Sequence, residues 1–126
     1  MIAESTEVPI FVNGVLLSRR YITSESGVAI TTSNVSSIKL NVYQLVYDES
    51  GNLMRDVVEN YEDVSLPVAS VISDEVQTDS DGNNYNFQYC VEGAFTLPNQ
   101  RYCIEYTLVM ADTHTVIIAI YGQTLD

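Results

Sequence analysis

Three places in this chain of 126 residues carry side chains whose types and spacing could do chemistry. The first is TDSDGNN, residues 78–84, where Asp79, Asp81, Asn83 and Asn84 surround Gly82 as the oxygen ligands of a calcium loop would. A helix–loop–helix calcium site also needs a third oxygen ligand before the glycine, a bidentate Glu to close the loop and two flanking helices. None of these is written in the sequence, and Asp, Asn and Gly are the ordinary residues of hairpin turns. The second place is His114, beside Asp112 and Thr113, a pair that proton transfer could use. Its setting is a polar turn, where an exposed histidine is expected. The third is Glu105, a carboxylate between Ile104 and Tyr106 in the middle of a strong strand pattern. Alternation puts it on the more polar face with Cys103, so it is expected in solvent rather than in a pocket that shifts its pKa. The acidic patch Glu59, Glu62, Asp63 reads as a solvated loop. No nucleophile elbow, phosphate-cradling glycine loop or zinc spacing is present. The sequence thus nominates no catalytic residue, no cofactor and no metal ligand, and the chain is expected not to be an enzyme.

The two cysteines follow the same logic. Alternation sets Cys90 with Asn86 and Gln88, opposite Tyr85, Phe87 and Tyr89, and Cys103 with Glu105 and Thr107, opposite Tyr102, Ile104 and Tyr106. Two cysteines do not make a disulfide framework. Free, partly buried thiols are expected, with a Cys90–Cys103 bridge as the alternative.

What must hold such residues is a β domain. The length is that of one domain, and folding at this size hides roughly two-thirds of the unfolded chain's surface. Seventeen acidic residues face five basic ones, a formal net charge of −12. That field repels phosphate backbones and anionic headgroups, so neither nucleic acid nor a membrane surface is an expected partner. It serves solubility, or it presents a docking face to a basic partner. The opening residues MIAESTEVPIF lack the charged and apolar regions of a signal peptide, and no apolar run approaches the length of a membrane helix.

Residues 8–19 form two apolar runs joined by Asn13-Gly14, the strongest two-residue hairpin signal. They are expected to form an edge hairpin after a loose acidic tail (Met1–Glu7), or an arm that clasps a neighbour. The partner-binding candidates are Ile10, Phe11, Val12, Val15, Leu16 and Leu17, in an arm region 1–26 ahead of a sandwich domain 27–126. A short strand is expected near Val28–Thr32. Along residues 38–47, Ile38, Leu40 and Val42 give way to Tyr43, Leu45 and Tyr47 on the opposite parity, which predicts a bulge or bend near Val42–Gln44. Gly51 closes the turn that follows with positive φ. Residues 53–72 admit a short helix around Met54–Tyr61 but read better as irregular edge strand. Strands are predicted over Tyr85–Val91, Tyr102–Met110 and Thr115–Tyr121. Eight or nine short, Tyr-rich strands with polar turns predict an all-β, antiparallel β-sandwich of immunoglobulin-like type.

From Gly27 to Leu125 the order of elements resembles an immunoglobulin-like virion module of tailed bacteriophages, as used in baseplate, neck, fibre-attachment and capsid decoration proteins. The residues that carry the resemblance are IKLNVYQLVYDESGNLMRD, a long strand, an Asp-x-x-Gly turn and an Asp-bearing strand, and YNFQYCVEGAFTLPNQRYCIEYTLVMADTHTVIIAIYGQTL, where an EG-x-F corner leads into a Tyr-rich strand pair. Such modules commonly head a larger polypeptide, whereas this sequence ends at Asp126 after its last strand, which suits a decoration protein or adaptor. The resemblance implies a structural subunit of a phage-like virion, made in the host cytoplasm. Its partners would be other virion proteins, including copies of itself, in a homo-oligomer. A single lysine, Lys39, offers little blunting of sheet edges, which also favours pairing with another subunit. The alternative is a small ligand- or glycan-binding sandwich using tyrosines such as Tyr85 and Tyr89, although sugar platforms favour the tryptophan this chain lacks.

Overall fold

A computed structural model describes residues 8–125; the expected acidic tail Met1–Glu7 and the last residue lie outside the described residues. Over the described residues the chain folds as an all-β sandwich of nine strands in two sheets. β1 (Val8–Ile10), β9 (Thr115–Thr124), β8 (Arg101–Met110), β3 (Val35–Tyr47) and β4 (Leu53–Val57) lie side by side in that order, and β5 (Val64–Leu66) pairs with the first half of β3. The opposing sheet runs β2 (Val15–Arg20), β7 (Asn84–Glu92), β6 (Ile72–Thr78). All pairings are antiparallel except β1 with β9.

The core is the alternate set of residues from the long strands. Ile38, Leu40 and Val42 of β3, Tyr102, Ile104, Tyr106 and Leu108 of β8 and Ile120 of β9 meet Leu16 of β2 and Phe87 and Val91 of β7. Aromatic rings cross the gap edge to face. Phe87 meets Tyr106 at 4.9 Å, and Phe95 of the β7–β8 loop meets Tyr102 at 5.1 Å between ring centres. Such pairs add about 0.5–1.5 kcal/mol each beyond area burial.

Three turns share one design. In each, a backbone pair closes the loop and the fourth residue takes positive φ: Gly51 at +82°, Gly82 at +83° and Thr113 at +76°. Asp48 and Asp79 open the first two, and each carboxylate accepts two backbone N–H groups from its own turn. Gly51 was expected in this role. Thr113 departs from the rule, because a β-branched residue pays a steric cost in this region that glycine does not.

Five expectations need correction. Residues 8–19 do not form a hairpin: β1 joins β9 in one sheet and β2 joins β7 in the other. Asn13, at φ +61°, still turns the chain, with Gly14 N–H donating to Phe11 O at 2.8 Å, but the turn carries it across the sandwich. The ribbon is also not a detachable arm, and no structural boundary falls at residue 26. Ile10 is 1% exposed, and a Cβ on Gly122 would run into its side chain, so β1 rests where a glycine leaves room. Residues 28–32 form no strand; a lone Thr23–Ala29 bridge and a 3-10 turn at Thr32–Asn34 replace it. Val68–Val71 is one α-helical turn, α1, after Pro67, a residue that favours a first-turn start and cannot donate to a ladder. Finally, β3 pairs with β8 without interruption from Ser37 to Leu45, and the register shift lies at Val35–Ser37. The change of parity at Val42–Gln44 reflects a change in which face is covered, not a bulge.

Candidate functional site

The residues with chemical potential are committed locally. Asp79 spends its carboxylate on the N–H groups of Asp81 and Asn83, each at 2.9 Å, and these bonds hold it below the usual carboxylate range. Asp112 accepts from His114 N–H at 3.0 Å and lies 2.8 Å from His114 Nδ1. That contact lowers the acid and raises the imidazole, and both side chains stand on an exposed turn. Among the described residues no group of three metal-ligating side chains gathers.

Cys90 and Cys103 are free. Cys90 shares a face with the exposed Leu17 on the outside of the β2–β7–β6 sheet, and Cys103 lies on the outside of the other sheet. Sheets packed face to face stand about 10 Å apart, and a disulfide spans far less, so the pair cannot bridge. Burial pushes both thiols up, away from the thiolate that nucleophilic chemistry needs.

One end of the sandwich holds a groove of about 770 Å³ between residues 22–30 and the β8–β9 turn. Ile22, Val28, Ile30, Met110 and Val116 supply apolar lining, and Glu25, Asp112 and His114 supply polar groups. The 22–30 loop is held by Asn86, which is 1% exposed. Its side-chain oxygen accepts from Ile22 N–H at 2.8 Å, and its amide donates to Ile22 O and Ile30 O at 2.8 and 3.3 Å. Sequence reading gave Asn86 no role, since one polar residue in a strand does not announce a loop clamp.

Among the described residues, the outer face of the large sheet has no second sheet packed over it. Cross-strand register puts Lys39, Asn41, Tyr43, Leu45 and Tyr47 of β3 on it. Beside them stand Leu53, Arg55 and Val57 of β4, Arg101, Cys103, Glu105 and Thr107 of β8, and Ile117, Ala119 and Tyr121 of β9. Its centre is tightly knit. Arg55 pairs with Glu105 at 3.3 Å and lies over the Tyr43 ring at 5.2 Å. Cys103, between its cross-strand neighbours Tyr43 and Tyr121, is fully buried, and Leu45 sits between Arg55 and Arg101. Arginine stems cover apolar neighbours in this way. Around that centre Tyr47, Leu53, Val57 and Ile117 remain 40–65% exposed.

The sequence-nominated contact residues divide by parity. Ile10 and Leu16 belong to the core, Val12 is half-buried, and Phe11, Val15 and Leu17 are exposed. Near this end of the chain Leu125 N–H donates to Ile10 O, and Thr124 Oγ1 donates to Leu97 O. Glu105 and Cys103 share the outer face, as alternation required. Tyr85 and Tyr89 do not form an exposed platform: both are half-buried, Tyr89 packs edge-on against Tyr106, and Arg19 lies over the Tyr85 ring.

The edges are blunted by means other than lysine. β1 is three residues long and contains Pro9, β6 carries Asp74 and Glu75, and β2 ends in Arg19 and Arg20. The outer face escaped sequence reading because its members come from four strands and meet only once the register is known. Compared with known proteins, the chain matches no family model, no curated protein and no solved structure.

Proposed function

We propose that this protein is a non-enzymatic structural subunit of a phage-like virion, a capsid decoration protein or a tail, neck or baseplate adaptor that works by protein–protein contact. The observation that carries the reading is the outer face of the large sheet, where Tyr47, Leu53, Val57 and Ile117 stand uncovered around a rigid centre. Tyr47 and Leu53 are cross-strand neighbours that stand exposed together; exposed apolar residues grouped among polar ones mark interaction surfaces, and tyrosines suit them.

Strand order supports the likeness to immunoglobulin-like modules. The order β9-β8-β3-β4 facing β2-β7-β6 follows the G-F-C-C′ and B-E-D arrangement of such sandwiches. Its partners are then other virion proteins and copies of itself, and its place is the particle.

The direct test is the protein content of particles purified from cells that express the gene. The chain is expected in them at a stoichiometric ratio to a major structural protein. Expression in the cell with none in the particles overturns the reading. A ligand- or glycan-binding role has one observation in its favour, the groove beside His114. A glycan array with specific binding that Val28→Asp abolishes would establish it instead.

A further inference from the structure

The devices that blunt β1, β2 and β6 are missing from one stretch of the large sheet. β4 carries Arg55 and Asp56, but β9, from Thr115 to Thr124, holds no charged residue and no proline. β1 pairs with it only over Gly122, Gln123 and Thr124. Among the described residues, positions 115–119 therefore have β8 on one side and no strand on the other.

The bonds at the two ends of β9 show which groups face that open side. Met110 N–H donates to His114 O at 2.8 Å, and Thr124 N–H donates to Gln100 O at 2.9 Å. Hydrogen-bonded pairs alternate along an antiparallel ladder, so the even residues of β9 turn their N–H and C=O toward β8. The odd positions face away from it, and Leu125 N–H accordingly donates to Ile10 O at 2.9 Å. Thr115, Ile117 and Ala119 thus present backbone donors and acceptors to an uncovered edge. Ile117 adds a side chain that is 60% exposed. Such an edge is a template for another strand.

We propose that this edge pairs antiparallel with the same edge of a second copy, about a two-fold axis at Ile117. The inference rests on the contact-based reading above and specifies one partner. Parity sets the register, because only odd residues have groups to exchange across the edge. Ile117 bonds to Ile117 of the second copy, Thr115 bonds to its Ala119, and Val116 faces its Ile118. A register centred on Ile118 would drive the second copy's β8–β9 turn into the place that Val8 holds beside Gly122. One centred on Val116 would set Ala119 against the turn residue Thr113. Charge selects the occupant. Copies with a net charge of −12 repel each other, and through β9 they meet without a charged side chain. A basic or acidic strand finds no counter-charge there, whereas the apolar alternation of β9 matches itself across the axis. The contact is isologous, and it joins two large sheets into one.

The test is sedimentation equilibrium of the purified chain up to about 1 mM, in about 50 mM and about 500 mM sodium chloride. Amide exchange of residues 115–119 is read by NMR at both ends of the concentration series. The expected result is a dimer that tightens with salt, as screening relieves the net repulsion. Protection of the Thr115, Ile117 and Ala119 amides should rise with concentration, while Val116 and Ile118 stay protected throughout by β8. Ile117→Lys sets like charges face to face across the axis and is expected to weaken the dimer about tenfold or more. Val76→Lys, an exposed position on the edge strand of the other sheet, is expected to leave the dimer unchanged. A chain that stays monomeric at every concentration overturns the proposal. So do odd-numbered amides protected at dilution, since the edge is then covered from within its own chain, and a dimer that survives Ile117→Lys or loosens with salt. The exchange pattern of the wild type decides the matter even if a variant fails to fold. None of these results touches the virion reading, which stands or falls on particle content.

Discussion

The inner and outer faces of the large sheet are made by the same strands, and they differ in what lies above them. On the inner side the second sheet covers Ile104, Tyr106 and Leu108 completely. On the outer side Cys103 is equally inaccessible, with Tyr43 and Tyr121 as its cross-strand neighbours and the Arg55–Glu105 pair beside it. Outward burial of this kind needs no second layer, but it stops where the arginine stems stop, and Tyr47, Leu53 and Ile117 beyond them remain in water. The contrast teaches that hydrophobic residues in a sheet have two uses. One set is buried and determines the fold, and the other stays at the surface, where the proposed contact would use it.

The comparison is broken most severely from the inside. Phe87→Ala removes a fully buried ring that packs edge-on against Tyr106, and it should cost about 3–5 kcal/mol in urea unfolding. That is a large share of the roughly 5–15 kcal/mol that holds a domain of this kind together.

Alkaline pH attacks the same face without mutation. Burial pushes the Tyr106 phenol from its ordinary 10.0 up to about 12, with the nearby Ser18 hydroxyl offsetting part of the shift. Neither hydroxyl has a well-formed hydrogen bond, so the anion finds little there to replace water. The folded state therefore binds the phenolic proton more tightly than the unfolded chain does. Stability should be unaffected by this group below about pH 10 and fall by up to about 2–3 kcal/mol as pH rises toward 12. Urea titrations of wild type and Tyr106→Phe across that window should diverge, the variant lacking this part of the decline.

Thr113→Gly leaves both faces intact and changes only the turn between β8 and β9. Its positive φ costs a β-branched residue about 1–2 kcal/mol, and the greater chain entropy of glycine returns part of that. A net gain of about 0.5–1 kcal/mol, read as a higher melting temperature, would bring this turn into line with those of Gly51 and Gly82. The smallest effect belongs to the outer rim. Ile117→Ala should change stability by no more than about 0.5 kcal/mol, since the side chain is 60% exposed.

Local pattern made the strand scaffold readable. β7, β8 and β9 stand within a few residues of their predicted limits because apolar alternation is strong there and Gly or Asn marks the ends. The free thiols and the turn at Gly51 were legible for the same reason. Long-range facts were not. Asn13-Gly14 does turn the chain, but the sequence does not tell a hairpin from a crossing between sheets, because Val8–Ile10 finds its partner near the far end of the chain. The parity change in β3 was real, and only tertiary packing explains it. The outer face, built from strands distant in sequence, carries no signal in any single stretch.

The central claim is that the outer rim of the large sheet is dispensable for folding and necessary for contact. The measurement that tests it most directly pairs the melting temperature of Leu53→Asp with Ile117→Asp against the incorporation of that variant into particles. A melting temperature within a few degrees of wild type together with lost incorporation is the predicted result. Normal incorporation, or collapse of the isolated fold, would contradict the account.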